Sequence, residues 1–185
     1  MSAIDSSKLK FKKYDPFVDN LINLDFKQTD GSDPFMVEEY VKNQISKDFE
    51  KKGNKIFVVS YEENIIAFFT LSMSVICSKN LLKDGDDGYN DDDADSESNN
   101  NKKVVFPALL MGKIGIDKKY RCFGIGKYIC LFCMGLAQKT NEKIACSFFI
   151  FRTTQSLAEK IYGPKYCFRW KDRPNKIVWA YRKIL

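Results

Sequence analysis

The chain contains no histidine among its 185 residues. That absence removes Ser-His-Asp and Cys-His nucleophile systems, histidine-ligated metal sites and histidine general bases. Any catalysis must draw on Tyr, Asp, Glu, Lys, Ser, Cys, the backbone or water. A long hydrophobic run is also missing: the longest, Tyr128 to Ala137, is about half the length needed to span a bilayer. The first twenty residues carry several charges and no apolar segment of the kind a signal peptide has. These features predict a soluble, cytoplasmic protein without membrane association. Cysteine is present six times, at 77, 122, 130, 133, 146 and 167, mostly inside apolar runs. Cys130 and Cys133 form a CxxC with no second pair and no histidine, so buried structural thiols are expected rather than a redox or zinc site.

Charge is placed unevenly. Asp84 to Ser98 carries eight acidic residues and no basic one. Without those eight, 30 basic residues stand against 16 acidic ones, a balance of +14 where the whole chain has +6. A surface that basic suits a polyanion, either nucleic acid or a polyphosphate ligand. Lys42, Lys47, Lys51, Lys52, Lys165, Arg169, Lys171 and Arg173 are the phosphate contacts this suggests. The stretch 83–103 is of low complexity and poor in apolar residues, and is expected to be a disordered acidic insert in a single domain spanning 1–185.

Hydropathy patterning gives the rest of the order. An edge strand is expected around Leu9 to Tyr14, and a short helix at Val18 to Phe26. A longer helix, capped by Ser32 or Asp33 with Pro34 in its first turn, carries Val37, Tyr40, Val41, Ile45 and Phe49 on one face. Ile56 to Tyr61 and Ile65 to Val75 read as a hairpin turning at Glu62-Glu63-Asn64. Beyond the insert come a strand at Ala108 to Ile116, a nearly all-round apolar helix at Lys127 to Lys139, and a strand at Lys143 to Phe151. Thr153 or Thr154 caps a further helix, which Gly163-Pro164 should end at Tyr162, and a strand pair at Tyr166 to Trp170 and Ile177 to Tyr181 closes the chain. The fold class is α+β around one mixed, mostly antiparallel sheet.

The chemistry concentrates in PALLMGKIGIDKKYRCFGIGK, Pro107 to Lys127. A strand, a turn with two glycines one residue apart, and a helix start together make an anion site of backbone N–H groups and helix dipole. The spacing is neither the dinucleotide pattern nor a Walker loop. With Tyr162 in LAEKIYGPKYCF one strand and one helix later, the sequence resembles the GNAT superfamily of acetyl-CoA-dependent N-acetyltransferases. The family's [Q/R]-x-x-G-x-[G/A] is matched by Arg121 to Gly126, and Ala158, Ile161, Tyr162 and Phe168 resemble its A-x-x-[F/L]-Y-x-x-x-G-F with the Tyr162-to-Phe168 spacing one residue longer.

The resemblance implies that Ile114, Gly115 and Ile116 face pantetheine. Arg121, Cys122, Phe123, Gly124, Ile125, Gly126 and Lys127 then form the pyrophosphate loop of acetyl-CoA, and no metal is needed. Arg121 has two readings, a phosphate ligand through its side chain or a cap on the loop, with the backbone amides as the main phosphate donors. Tyr162 is the implied general acid, since a phenol with an ordinary pKa of about 10 is protonated at neutral pH. Glu38, Glu39 and Glu159 are base candidates without positional support. Over roughly residues 20–180 the chain is similar to the GNAT toxins of toxin–antitoxin pairs, which implies aminoacyl-tRNA as acceptor, a ribbon-helix-helix antitoxin as partner, and a homodimer. The alternatives are a protein or small-molecule amine as acceptor, or a degenerate CoA-binding module. Two departures from the family pattern stand out: Cys122 and Cys167 occupy positions where glycine is usual.

Overall fold

The computed structural model describes residues 4–82, 104–171 and 177–184. The expected insert at 83–103, and Arg173, lie outside these. The strands are β1 (Leu9–Lys13), β2 (Lys55–Tyr61), β3 (Asn64–Cys77), β4 (Val105–Ile116), β5 (Phe148–Thr154), β6 (Arg169–Trp170) and β7 (Ile177–Lys183). They form one sheet in the order β1-β2-β3-β4-β5-β7-β6, mostly antiparallel with one parallel pair, as the sequence led us to expect. The helices are α1 (Val37–Asn43), α2 (Ile45–Lys51) and α3 (Ile125–Asn141), followed by α4 (Gln155–Leu157), a π-helical turn (Ala158–Tyr162) and α5 (Gly163–Tyr166). Among the described residues no helix is long and apolar enough to cross a membrane.

The chain divides into two compact units, residues 1–72 with 111–133, and residues 73–110 with 134–185. In the first, β1 pairs with β2 and β2 with β3, and the hairpin turns through left-handed Glu62 and Glu63. Glu62 is tied to Lys8, just before β1, and Glu63 to Lys10 within it. One sheet face packs Val58 and Phe68 against Tyr40, Val41 and Ile45 of α1 and α2, with Leu21 and Phe26 closing the cluster. The other stacks Phe11 on Phe132 of α3 at 4.7 Å between ring centres, and Phe57 on Phe69 at 5.2 Å. The second unit has its own core of Ile76, Leu81, Ala108, Phe148, Ile150 and Tyr181, whose hydroxyl accepts the Leu82 N–H at 2.7 Å.

Four local expectations are corrected. Val18 to Phe26 is a series of turns, not a helix: Asp15, Asn20 and Asp25 each accept the backbone N–H two residues on, which competes with helical bonding. The predicted single helix after Pro34 is broken at Gln44 (φ −121°) into α1 and α2, though Asp33 does cap it, accepting the N–H groups of Val37 and Glu38 at 2.8 Å. Helix α3 buries Ile129, Cys130, Cys133 and Ala137 but exposes Leu131, so it has a solvent face. The helix after Thr154 does not stop at Tyr162; the π-helical turn lets the chain restart with Pro164 in the first turn of α5, where its missing N–H costs nothing.

Candidate functional site

In the first unit, β4 delivers Ile114, Gly115 and Ile116 directly into the turn that carries Arg121 to Lys127. Near the middle of β4 the Lys113 N–H bonds the Thr70 side-chain hydroxyl at 2.9 Å, where a regular ladder would offer a backbone carbonyl. The buried carboxylate of Asp117 then organises the turn by accepting the N–H of Lys119 at 2.8 Å and of Asp25 at 3.3 Å. Its own N–H reaches the Ile66 carbonyl, and Lys118 N–H reaches the Asp25 carbonyl at 2.8 Å.

The hydrogen bonds of Arg121 match the second of its two readings, a cap on the loop. Its guanidinium donates to the carbonyls of Phe26 (2.6 Å), Lys27 (2.8 Å) and Ile116 (3.1 Å). All three partners are backbone oxygens of this chain, so the side chain clamps residues 26–27 to the end of β4. Sequence reasoning missed this 25–27 segment, since carbonyl acceptors leave no signature in residue identity.

The turn's residues have separable reasons. Gly124 stands at φ +82° with open space around it, so conformation explains it. Cys122 takes φ +66° and is exposed, so it adopts the left-handed backbone that the family pattern gives to glycine. Ile125 is buried and anchors the start of α3, and Phe123 is half-buried. Gly126 has neither reason: its φ is not left-handed, and an added Cβ would meet only the Ile116 side chain, at an ordinary 3.8 Å. Glycine costs about 1 kcal/mol relative to alanine in a helix interior. A glycine that the protein's own packing does not require, at the N-terminus of a 17-residue helix, leaves room for a ligand to approach the backbone. Gly115 differs, because a Cβ there would strike the rings of Phe68 at 2.6 Å and Phe26 at 2.8 Å, so its smallness serves internal packing. Lys127 is exposed, with its ammonium 5.6 Å from the Tyr128 ring centre.

In the second unit, Tyr162 ends the π-helical turn, and its half-buried ring meets Phe151 edge-on at 4.7 Å and Phe168 at 6.1 Å. The Thr154 hydroxyl caps the helix by accepting the Leu157 N–H at 3.3 Å. Cys167 closes it in the left-handed conformation (φ +54°), with its N–H on the Gly163 carbonyl and the Phe168 N–H on that of Tyr162. Cys167, like Cys122, thus takes the left-handed backbone that favours glycine. A cavity of about 500 Å³ opens beside this segment, between Glu159, Pro164, Phe168, Arg169 and Trp170.

The other candidates fall apart as a set. Glu38 lies between the ammonium groups of Lys27 (3.8 Å) and Lys42 (3.6 Å), Glu39 is exposed, and Glu159 accepts from the Gln155 amide at 2.9 Å. Cys130 and Cys133 are buried inside α3, and burial pushes the Cys133 thiol well above its ordinary value, which suits structural thiols.

The sequence matches no family model and no curated protein. Solved structures do match. A point-mutant form of the AtaT toxin, bound to the C-terminus of the antitoxin AtaR and acetyl-CoA, superposes with a TM-score of 0.67 at 10% identity, covering 96% of this chain and 94% of that one. AtaTR bound with acetyl-CoA gives 0.69 at 12% identity over 96% and 95% of the two chains. The KacTA–DNA complex gives 0.66 at 12% over 95% and 93%. The chain has the fold of the GNAT-type toxins. At such low identity the likeness concerns the fold alone, so the roles of residues within this GNAT fold rest on the local geometry above.

Proposed function

We propose that the protein is an acetyl-CoA-dependent N-acetyltransferase acting on a primary amine, with the amino group of aminoacyl-tRNA as the acceptor its basic balance favours. The observation that carries the reading is the ordered turn from Asp117 to Gly124 that leads into the N-terminus of α3, with Gly126 leaving the backbone open there, in a chain whose fold is that of the GNAT-type toxins. The N–H groups at the start of α3 and of the preceding turn would hold the pyrophosphate, and Ile114 to Ile116 would offer backbone to the pantetheine. Acetyl-CoA supplies an acetyl group activated as a thioester. The amine nitrogen bonds the acetyl carbon as the carbon–sulfur bond breaks, and Tyr162 gives a proton to the departing sulfur and regains one from solvent. Water takes the proton lost by the amine, since neither Glu38 nor Glu39 has a geometry that recommends it. A ribbon-helix-helix antitoxin and a second copy of the chain are the partners this reading expects.

Calorimetric titration of acetyl-CoA tests it. Gly126→Glu should abolish binding by setting a carboxylate against the pyrophosphate. Gly126→Ala should raise stability by up to about 1 kcal/mol through helix propensity while weakening acetyl-CoA binding. An alanine variant that gains stability and binds unchanged would remove the site. With the site intact, Tyr162→Phe should lower acetyl transfer by on the order of 10²–10⁴ with affinity retained; turnover close to that of the unmodified protein would remove Tyr162 from the chemistry.

A further inference from the structure

Residues three apart on a regular strand point to opposite faces, and β4 breaks that rule within the first unit. A Cβ on Gly112 would meet the Thr70 hydroxyl at 2.9 Å, and one on Gly115 would meet the Phe68 ring at 2.6 Å. Thr70 and Phe68 are two apart on β3 and share a face. Gly112 and Gly115 are three apart on β4, yet both point at that face. Beyond Gly115 the strands advance together again, since the Asp117 N–H reaches the Ile66 carbonyl. Between Gly112 and Gly115, then, β4 holds one residue more than β3. This is a β-bulge, and Lys113 and Ile114 form it.

A bulge disrupts the ladder locally and re-aims the backbone around it. Here the Lys113 N–H is taken by the Thr70 hydroxyl at 2.9 Å. Thr70 is buried, with 2% of its surface exposed, so removing the hydroxyl leaves a poorly solvated donor behind. Glycine at 112 is what lets that oxygen come so close, because a side chain there would stand where the hydroxyl does. The Lys113 ammonium fixes the same residue a second time. It donates to the Phe35 carbonyl at the entry to α1 and lies 6.0 Å from the Tyr40 ring centre. We infer that Thr70 is a positioning residue for acetyl-CoA: through the Lys113 N–H its hydroxyl holds the bulge, and the bulge sets the direction in which the backbone of Ile114 to Ile116 meets the pantetheine arm. This role rests on the acetyl-CoA reading above. The pyrophosphate end of that site has supports of its own, the Asp117 carboxylate and the Arg121 clamp, so loss of the Thr70 hydroxyl acts on the pantetheine arm and spares the pyrophosphate.

The test is calorimetric titration of the full chain with acetyl-CoA and with adenosine diphosphate, which carries a pyrophosphate but no pantetheine. Thr70→Val keeps the shape of the side chain and deletes the hydroxyl. It should weaken acetyl-CoA about tenfold and leave adenosine diphosphate unchanged. Thr70→Ser keeps the hydroxyl and should bind both ligands as the unmodified protein does. Gly112→Ala gives a second route at a solvent-exposed position: its methyl should push the hydroxyl off the Lys113 N–H and reproduce the effect of Thr70→Val. Urea midpoints followed by circular dichroism establish that each variant is folded. Acetyl-CoA affinity unchanged in Thr70→Val and Gly112→Ala, an equal loss for both ligands, or a serine variant as weak as the valine one would overturn the role of Thr70. Acetyl-CoA binding that is intact in the unmodified protein and indifferent to Thr70→Val keeps the site and removes Thr70 alone. An unmodified protein that binds no acetyl-CoA removes the site itself, and Thr70 with it.

Discussion

Replacing Arg121 by methionine keeps the aliphatic stem of the side chain and deletes every donor, so it isolates the clamp on residues 26–27. Three carbonyls lose a charged partner. The Lys27 carbonyl is on the exposed side, where water replaces the guanidinium, so that bond contributes little. The bonds to Phe26 and Ile116 are partly buried, and hydrogen bonds to charged groups contribute about 1.5–3 kcal/mol each. Taking the lower end for both gives a loss of about 3 kcal/mol, or roughly 6–12 °C in Tm for a domain of this size. Urea unfolding followed by circular dichroism reads it as a lower midpoint at unchanged slope. The functional consequence separates the two roles of Arg121. A clamp weakens acetyl-CoA binding equally at low and high salt, because the turn has lost its geometry. A phosphate ligand weakens it mainly at low salt, where charge is least screened. Arg121→Lys should recover little, since an ammonium cannot span three divergent carbonyls. Unchanged stability together with a loss confined to low salt would refute the clamp.

Thiol reagents should divide the cysteines, modifying exposed Cys122 and Cys167 quickly and buried Cys130, Cys133 and Cys146 only on unfolding; saturating acetyl-CoA should protect Cys122, as read by peptide mass mapping. Burial and the hydrogen bond to Asp48 raise the Tyr40 phenol above its ordinary value. Its folded form therefore holds the proton after the unfolded form has lost it, so the contribution is complete below about pH 10 and declines as pH rises beyond that value. The stability difference between the unmodified protein and Tyr40→Phe, from urea midpoints, should accordingly shrink above about pH 10. Left-handed backbone costs a non-glycine residue about 1–2 kcal/mol, and glycine returns roughly 0.5–1 kcal/mol of that through the freer unfolded chain. Cys167→Gly should thus stabilise by about 0.5–1 kcal/mol, and a destabilised variant would mean the thiol makes contacts that outweigh the strain.

How much the sequence disclosed depended on whether the deciding interaction was local. The hairpin of β2 and β3 was legible because its two apolar runs and the Glu62-Glu63-Asn64 break between them are all local. The glycine turn was legible for the same reason: Gly124 and Gly126 announce a backbone requirement in their identity. Val18 to Phe26 misled because its apolar spacing is helical while its Asp and Asn side chains satisfy the backbone in turns. The stop expected at Gly163-Pro164 failed because a π-helical turn shifts the register, so that Pro164 sits where no N–H is needed. The Arg121 clamp and the wall formed by Trp170 on Gly163 could not be read, since each joins residues by contacts that neither local sequence encodes.

The glycines and the cysteines that stand in for them sort the chain's positions by cause. Where only the backbone angle is demanded, the chain has glycine at 124 and cysteine at 122 and 167, all in the left-handed region. Where space inside the protein is demanded, glycine is kept, as at Gly115 under two phenyl rings and Gly163 under an indole. Gly126 fits neither class, because its angle is ordinary and its surroundings are open. Gly135, inside α3 with no neighbour within reach of a Cβ, belongs with it, so the case for an anion at the start of α3 rests on Gly126 together with the turn before it and the helix N-terminus.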